Sequence, residues 1–369
     1  MLLQDFDFQF PPELIANYPC ARGEARLMVV HRKSKEIHHT TFPHILDFLD
    51  PGDLLVLNNT KVIPARLFGQ KETGGKVEVF LLQSSPRKRG STLWKCLIHA
   101  SVRVRCGQRI YFRALNPSAP VAKCIEINSD GTCLLEFEKD FPFEKLGHIP
   151  LPPYIQRKDE EADQTNYQTV FAKHEGAVAA PTAGLHWTEE LLNKAQQKGI
   201  EIAEVTLHVG LGTFQPIRTE NILDHKMHAE YYEVSKDALL KMKEAKRVVC
   251  VGTTSVRVAE TIANQTSPQM DSCASWLGGG VSCDTAPPAL YFRALNPSEV
   301  MSGWTNLYIT PGYSFKNTHA LQTNFHQPKS SLFVLVSSFA GIDLMQKAYQ
   351  EAISQKYRLF SYGDTMVVL

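Results

Sequence analysis

The chain lacks any long apolar run, and nothing in its 369 residues is apolar for long enough to span a bilayer. Its start, Met1-Leu2-Leu3-Gln4-Asp5, also lacks the basic and then apolar segments of a secretory signal. Membrane insertion and export are therefore not expected, and the chain reads as cytoplasmic. Cys-x-x-Cys spacing is missing as well. The eight cysteines (Cys20, Cys96, Cys106, Cys124, Cys133, Cys250, Cys273, Cys283) are too sparse for a disulfide scaffold and read as reduced, mostly buried thiols. Nor is there an excess of charge: 39 Lys and Arg against 38 Asp and Glu leave a net +1. That balance neither requires nor excludes a polyanionic partner, because nucleic-acid binding depends on a local basic surface. The length and the 43% hydrophobic content suffice for two domains with ample core.

What is present is a set of histidines placed beside glycines and hydroxyl residues. Ala180-Pro181-Thr182-Ala183-Gly184-Leu185-His186-Trp187-Thr188 is followed by Leu207-His208-Val209-Gly210-Leu211-Gly212-Thr213-Phe214. Glycine lets a backbone approach a ligand while a neighbouring side chain addresses it. Further runs are His225-Lys226-Met227-His228-Ala229-Glu230, Val251-Gly252-Thr253-Thr254-Ser255-Val256-Arg257, Thr323-Asn324-Phe325-His326 and Tyr357-Arg358-Leu359-Phe360-Ser361-Tyr362-Gly363-Asp364. Near the front, Leu55-Val56-Leu57-Asn58-Asn59-Thr60-Lys61-Val62-Ile63-Pro64-Ala65-Arg66-Leu67 belongs with them.

Hydrophobic patterning divides the chain. Residues 53–59 read as a buried strand, and 76–83, 92–100 and 123–137 as strand-like pieces, the last broken by the hairpin turn Asn128-Ser129-Asp130-Gly131. Short strands with little helical periodicity predict a small β-barrel over about 67–148, ended by the Pro-rich 149–154. Beyond it helix and strand alternate. Thr188 and Ser235 are helix caps, Gly199 a helix end, 200–209 and 247–252 strands, and 254–264 a helix. The fold class expected is an α/β domain with an inserted small β-barrel domain.

One stretch does not fit. Residues 267–303 contain Gly278-Gly279-Gly280 and Pro287-Pro288, and within them Tyr291-Phe292-Arg293-Ala294-Leu295-Asn296-Pro297-Ser298 repeats residues 111–118. Two copies without a fixed period are no architectural repeat. The stretch reads as an insertion forming a surface excursion.

His186 and His208 are the candidate catalytic residues, because histidine titrates nearest physiological pH and suits proton transfer. His225 and His228 are three apart and, on a helix, would share a face suited to zinc. No convincing third and fourth ligand stands near them, so a substrate-binding loop is favoured. Gly210 and Gly212 follow a strand, but no third glycine completes a dinucleotide fingerprint. Thr253, Thr254 and Ser255 stand where a strand enters a helix, so their amides suit an anion or carboxylate; plain N-capping is the alternative. Arg257 is a candidate anion partner, against a helix-surface salt bridge. Tyr362 and Asp364 suit a ribose or an amine, against a simple turn. From Gln83 to Lys123 there is no acidic residue, while Arg87, Lys88, Arg89, Arg103, Arg105 and others are basic, so this stretch is the expected RNA-facing surface.

Taken in order, the quoted motifs resemble the S-adenosylmethionine:tRNA ribosyltransferase-isomerase family of queuosine synthesis, from about residue 5 to the C-terminus. The resemblance implies an α/β catalytic domain built from 1–66 and 149–369, with 67–148 inserted as the barrel. It implies transfer and isomerisation of the ribosyl part of S-adenosylmethionine onto 7-aminomethyl-7-deazaguanine at the tRNA wobble position. Epoxyqueuosine forms, and adenine and methionine leave. No metal and no cofactor are implied; S-adenosylmethionine is the ribosyl donor and tRNA the partner. Position and chemistry then make His186 or His208 the base, with Gly210, Gly212, Thr253, Arg257, Asn324, His326, Tyr362 and Asp364 about the substrate. Trp187 and Gln327 stand where the family pattern has Phe and Leu. Two other classes stay open: a metal-dependent hydrolase, which chelators would inactivate, and a non-catalytic RNA-binding module, which would release no adenine.

Overall fold

The computed structural model describes residues 1–84, 92–113, 119–210, 216–265 and 300–369. In chain order its first strands are β1 (Arg26–Val30), β2 (Ile37–Thr41), β3 (Asp53–Asn58) and β4 (Thr60–Val62). Next come β5 (Arg66–Lys71), β6 (Lys76–Ser84), β7 (Leu93–Ala100), β8 (Arg109–Phe112), β9 (Val121–Ile127), β10 (Cys133–Phe137) and β11 (Gly147–His148). The remainder are β12 (His174–Ala177), β13 (Glu201–Leu207), β14 (Glu230–Val234), β15 (Arg247–Val251), β16 (Met301–Thr305), β17 (Ala320–Asn324) and β18 (Thr365–Val368). The helices are α1 (Phe143–Leu146), α2 (Asp163–Asn166), α3 (Glu189–Gln197), α4 (Lys236–Glu244), α5 (Thr253–Gln265), α6 (Ser331–Ala340) and α7 (Ile342–Ser354).

A nine-stranded sheet runs in the order β16-β14-β13-β3-β15-β17-β18-β1-β2. Its centre, β13-β3-β15-β17, is parallel. Such strands are covered on both faces, which is why β3 carries the apolar run Leu54-Leu55-Val56-Leu57 and is buried throughout. Side chains alternate between the two faces. Leu54, Val56, Val205, Cys250 and Leu321 pack against Ala238, Val256, Phe333 and Met345 from α4, α5, α6 and α7. Leu55, Leu57, Val249 and Val251 pack the other way, against Phe42, Trp187 and Leu191. The expected caps form: Thr188 Oγ1 accepts from Leu191 N at 3.1 Å, and Ser235 Oγ from Ala238 N at 3.1 Å.

Strands β5 to β10 make a closed six-stranded antiparallel barrel, sealed where β5 pairs with β8; β11 adds to β5. At the seal a Cβ on Gly69 would lie 2.9 Å from both the Ile110 side chain and the Tyr111 carbonyl, so the close approach needs glycine. Val79, Cys96, Ile110, Phe112, Cys124 and Leu135 fill the interior. The hairpin expected at Asn128–Gly131 joins β9 to β10, with Gly131 at φ +82°.

Two expectations need correcting. The insertion was bounded at 267–303, yet Met301–Thr305 is an edge strand pairing antiparallel with β14, so its last residues belong to the sheet. The second octapeptide, 291–298, and most of the first, 111–118, lie outside the described residues. His225 and His228 follow a 3-10 turn (Ile222–Asp224) and precede β14 without helix, so the shared helical face does not form. Among the described residues no single helix is long and apolar enough to cross a membrane, and Cys20, Cys96, Cys106, Cys124, Cys133 and Cys250 are free thiols.

Candidate active site

In an open parallel sheet the ligand crevice lies at the carboxyl ends of the strands, where the loops emerge. Here β13, β15 and β17 lead into Val209, Gly252-Thr253-Thr254 and Phe325-His326, and these residues line one cavity. The turn Pro181–Ala183 closes one side, and Tyr154 and Ser361 another. No Asp, Glu, Lys or Arg is among the lining residues. A second cavity lies next to it, sharing Thr253, Thr254 and Leu332 and bounded by Met227, Arg257 and Tyr308.

His186 ends the 3-10 turn Thr182–His186 and is buried. Its Nε2 lies 2.8 Å from Asn324 Oδ1. Asn324 Nδ2 donates to the Phe360 and Ser361 carbonyls, each at 3.1 Å. Those two carbonyls need the amide nitrogen, so the oxygen faces His186, and Nε2 is the nitrogen that donates. The lone pair of the neutral ring is then on Nδ1. Burial pushes the His186 pKa down to about 4, so the ring is neutral at physiological pH. Asn324 lines the cavity and His186 stands one hydrogen bond behind it.

His326 does line the cavity, with Nε2 2.8 Å from Thr323 Oγ1 and burial lowering its pKa to about 3. Tyr154 Oη and Ser361 Oγ meet at 2.5 Å across the rim, joining the Pro-rich link to the C-terminal segment. Trp187, in place of the family's Phe, is fully buried and its indole N–H donates to Gln322 Oε1 at 3.3 Å. Gln327, in place of Leu, is a lining residue.

His208 is not itself a lining residue but stands directly after β13, next to the lining residue Val209. Its Nδ1 is 2.8 Å from Thr60 Oγ1, and its ring stacks on Tyr231 at 6.1 Å. The ring lies over Gly176, where φ is +146° and a Cβ would come within 2.9 Å of it. Burial lowers the His208 pKa, the nearby Glu233 opposes that, and His174 adds to it.

Other residues singled out in the sequence turn out to be engaged within the fold. Arg257 pairs with buried Glu230 and donates to the Leu307 and Thr305 carbonyls at 3.2 Å each. Gly210 N donates to the same Glu230 at 2.8 Å. Tyr362 Oη donates to Asp163 Oδ1 at 2.7 Å. Asp364 accepts from the Arg26 and Arg358 amides at 2.9 and 2.8 Å and pairs with the Arg26 guanidinium. Thr253 lies at the cavity, while Gly212 is outside the described residues. Arg103 and Arg105 are exposed between β7 and β8; Arg87, Lys88 and Arg89 lie outside the described residues. Among the described residues no three His, Cys, Asp or Glu side chains converge as a metal site. Tyr154, Thr323 and Ser361 were not singled out as site residues by sequence reasoning; no local pattern marks Tyr154, whereas the other two sit inside recognised runs.

Comparison with known proteins gives one consistent answer. The family model described as "Queuosine biosynthesis protein" matches residues 3–368. The chain is similar to the S-adenosylmethionine:tRNA ribosyltransferase-isomerase of Halothermothrix orenii, 46% identical over 379 aligned residues and covering all of both chains. The same-named protein of Thermotoga maritima is 42% identical, again over all of both chains. A crystal structure of S-adenosylmethionine tRNA ribosyltransferase from Thermotoga maritima aligns with a TM-score of 0.52 at 34% identity, covering 99% of this chain and 100% of that one.

Proposed function

The chain belongs to the queuosine biosynthesis protein family, that of the S-adenosylmethionine:tRNA ribosyltransferase-isomerases, and from this we propose that its strand-end cavity is where S-adenosylmethionine reacts. The ribosyl part is transferred to 7-aminomethyl-7-deazaguanine in the wobble position of tRNA and isomerised, giving epoxyqueuosine, adenine and methionine. One observation carries the reading: family motifs far apart in sequence, 180–187, 251–257, 323–326 and 357–364, meet around one cavity.

The chemistry asks for removal of a proton from carbon beside the sulfonium, then bond formation by the amine of the modified base. The carbon acid is cationic and its conjugate base is not. An uncharged, partly buried lining disfavours the cation and so makes that proton more acidic. His186 serves as a positioning residue, holding Asn324 at the cavity rim. His326 is a weak base with its Nε2 already engaged. His208 is the other candidate base: its Nδ1 meets Thr60 Oγ1, burial lowers its pKa with Glu233 opposing, and it directly precedes the lining residue Val209.

In this reading 67–148 is the tRNA-docking unit inserted into a catalytic unit of 1–66 and 149–369, working in the cytoplasm. Exposed Arg103 and Arg105 support it, as does Phe68, 52% exposed on the barrel with its ring 5.1 Å from that of His148. A basic surface tracks phosphate and an exposed ring offers a base a stacking face.

The test is incubation with S-adenosylmethionine and tRNA carrying the modified base. Adenine and methionine should appear only when both substrates are present, and a chelator should not prevent it. A protein that binds the tRNA but releases no adenine would be a binding module, and the reading would fail.

A further inference from the structure

Two helices begin at the cavity. The Thr253, Thr254 and Ser255 amides at the start of α5 have no acceptor among the described residues, and the first helical bond there is Val256 N to Gly252 O at 3.3 Å. Gly252, at φ +86°, has no side chain to cap them. The start of α6 also faces the cavity, through Ser330, whose Oγ accepts from Phe333 N at 3.2 Å. Helix N-termini present N–H groups and the positive end of the helix dipole, so together they suit an anion.

A second observation is independent of the helix. Thr254 is only 8% exposed, and its hydroxyl oxygen is shielded from solvent with no hydrogen-bond partner among the described residues. Thr254 lines both cavities. The Tyr308 hydroxyl, at the second cavity, is likewise buried without a partner. Buried hydroxyls are normally bonded, so a pair of orphans at adjoining cavities points to a ligand that supplies the missing acceptor.

The lining says which anion. A polynucleotide phosphate is ordinarily met by Lys or Arg. None lines the first cavity, and the guanidinium at the second is already paired with Glu230. A cavity of about 60 Å³ admits a small group rather than a nucleic-acid backbone. We propose that the N-terminus of α5, together with the Thr254 hydroxyl, binds the α-carboxylate of the methionyl end of S-adenosylmethionine. This rests on the reading of S-adenosylmethionine as substrate. The consequence is an orientation: the methionyl end is anchored at α5, and the ribosyl end is left for the incoming tRNA base.

The test compares binding of S-adenosylmethionine with that of its decarboxylated analogue, by calorimetry, to wild type, Thr254→Val and Thr254→Ser. Wild type should prefer the carboxylate form by about 10- to 100-fold, the usual worth of charge-assisted hydrogen bonds. Thr254→Val should lose roughly tenfold on S-adenosylmethionine and nothing on the analogue, and Thr254→Ser should keep the wild-type preference. Equal binding of the two ligands by an enzyme that still releases adenine would overturn the carboxylate assignment and leave the function standing. A Thr254→Val variant weakened equally on both ligands, or weakened on tRNA instead, would overturn it too. Failure of wild type to bind either ligand would overturn the substrate reading with it.

Discussion

His186 donates from Nε2 to Asn324 Oδ1 at 2.8 Å, and the same asparagine donates to the Phe360 and Ser361 carbonyls. One amide thus joins the Thr182–His186 turn, the end of β17 and the C-terminal segment at a single point of the cavity rim. Losing it lets three segments move independently. Asn324→Ala should lower adenine release about 100-fold, as expected for a displacement of roughly 1 Å at a reacting centre. His186→Gln, whose amide can still donate, should lose less than His186→Ala. Steady-state adenine release checks this, with circular dichroism to show that the fold persists; wild-type turnover by Asn324→Ala would remove the residue from the site.

Buried His186 and half-buried His326 make stability depend on pH. Their folded pKa values, about 4 for His186 and about 3 for His326, lie below the ordinary 6.5. Between those values the unfolded chain binds protons that the folded one does not, so stability rises with pH. It is fully present above about 6.5 and is lost as pH falls through the folded values, by at most about 1.4 kcal/mol per pH unit from each ring. Urea midpoints from pH 7 to 4.5 should fall, and less steeply in His186→Gln. An identical slope in that variant would contradict the assignment.

Arg257 ties α5 to β14 and to the 305–307 segment through Glu230 and two carbonyls. Removing one partner of a buried pair strands the other, at a cost of about 3–5 kcal/mol. Arg257→Met should therefore destabilise the fold by that order, and the double variant with Glu230→Gln should recover part of the loss. Denaturant unfolding measures both. A change below about 1 kcal/mol in the single variant would match an exposed pair and contradict the burial argument.

If the barrel docks tRNA, replacing Arg103, Arg105 and Arg109 with Gln should weaken tRNA binding and flatten its dependence on salt. Each lost phosphate contact should reduce the slope of log K against log salt by about 0.7 to 0.9. S-adenosylmethionine binding should not change. An unaltered slope would move the RNA surface elsewhere.

Much of the fold was legible because its signals are local. The apolar run of β3, the Asn128–Gly131 turn and the Thr188 and Ser235 caps each depend on residues a few positions apart. β8 was missed because it is only four residues long, with Ile110 and Phe112 as its sole inward pair. The motifs of the site were legible as strings, but their partners were not. His186 and Asn324 are 138 residues apart, and Tyr154 and Ser361 207 apart. Arg257, Tyr362 and Asp364 looked like ligand contacts because their chemistry suits one. The carboxylates that occupy Arg257 and Tyr362, and the Arg26 groups that occupy Asp364, come from other parts of the chain, and only the fold reveals them; Arg358, the other partner of Asp364, lies in the same run.

The most direct test of the strand-end cavity as the reacting site is amide hydrogen exchange with and without S-adenosylmethionine. The Thr253, Thr254 and Ser255 amides, which have no acceptor among the described residues, should slow markedly when the ligand is added, together with 323–327 and 360–361. Protection confined to the barrel or to other strand ends, with these segments unchanged, would contradict the account.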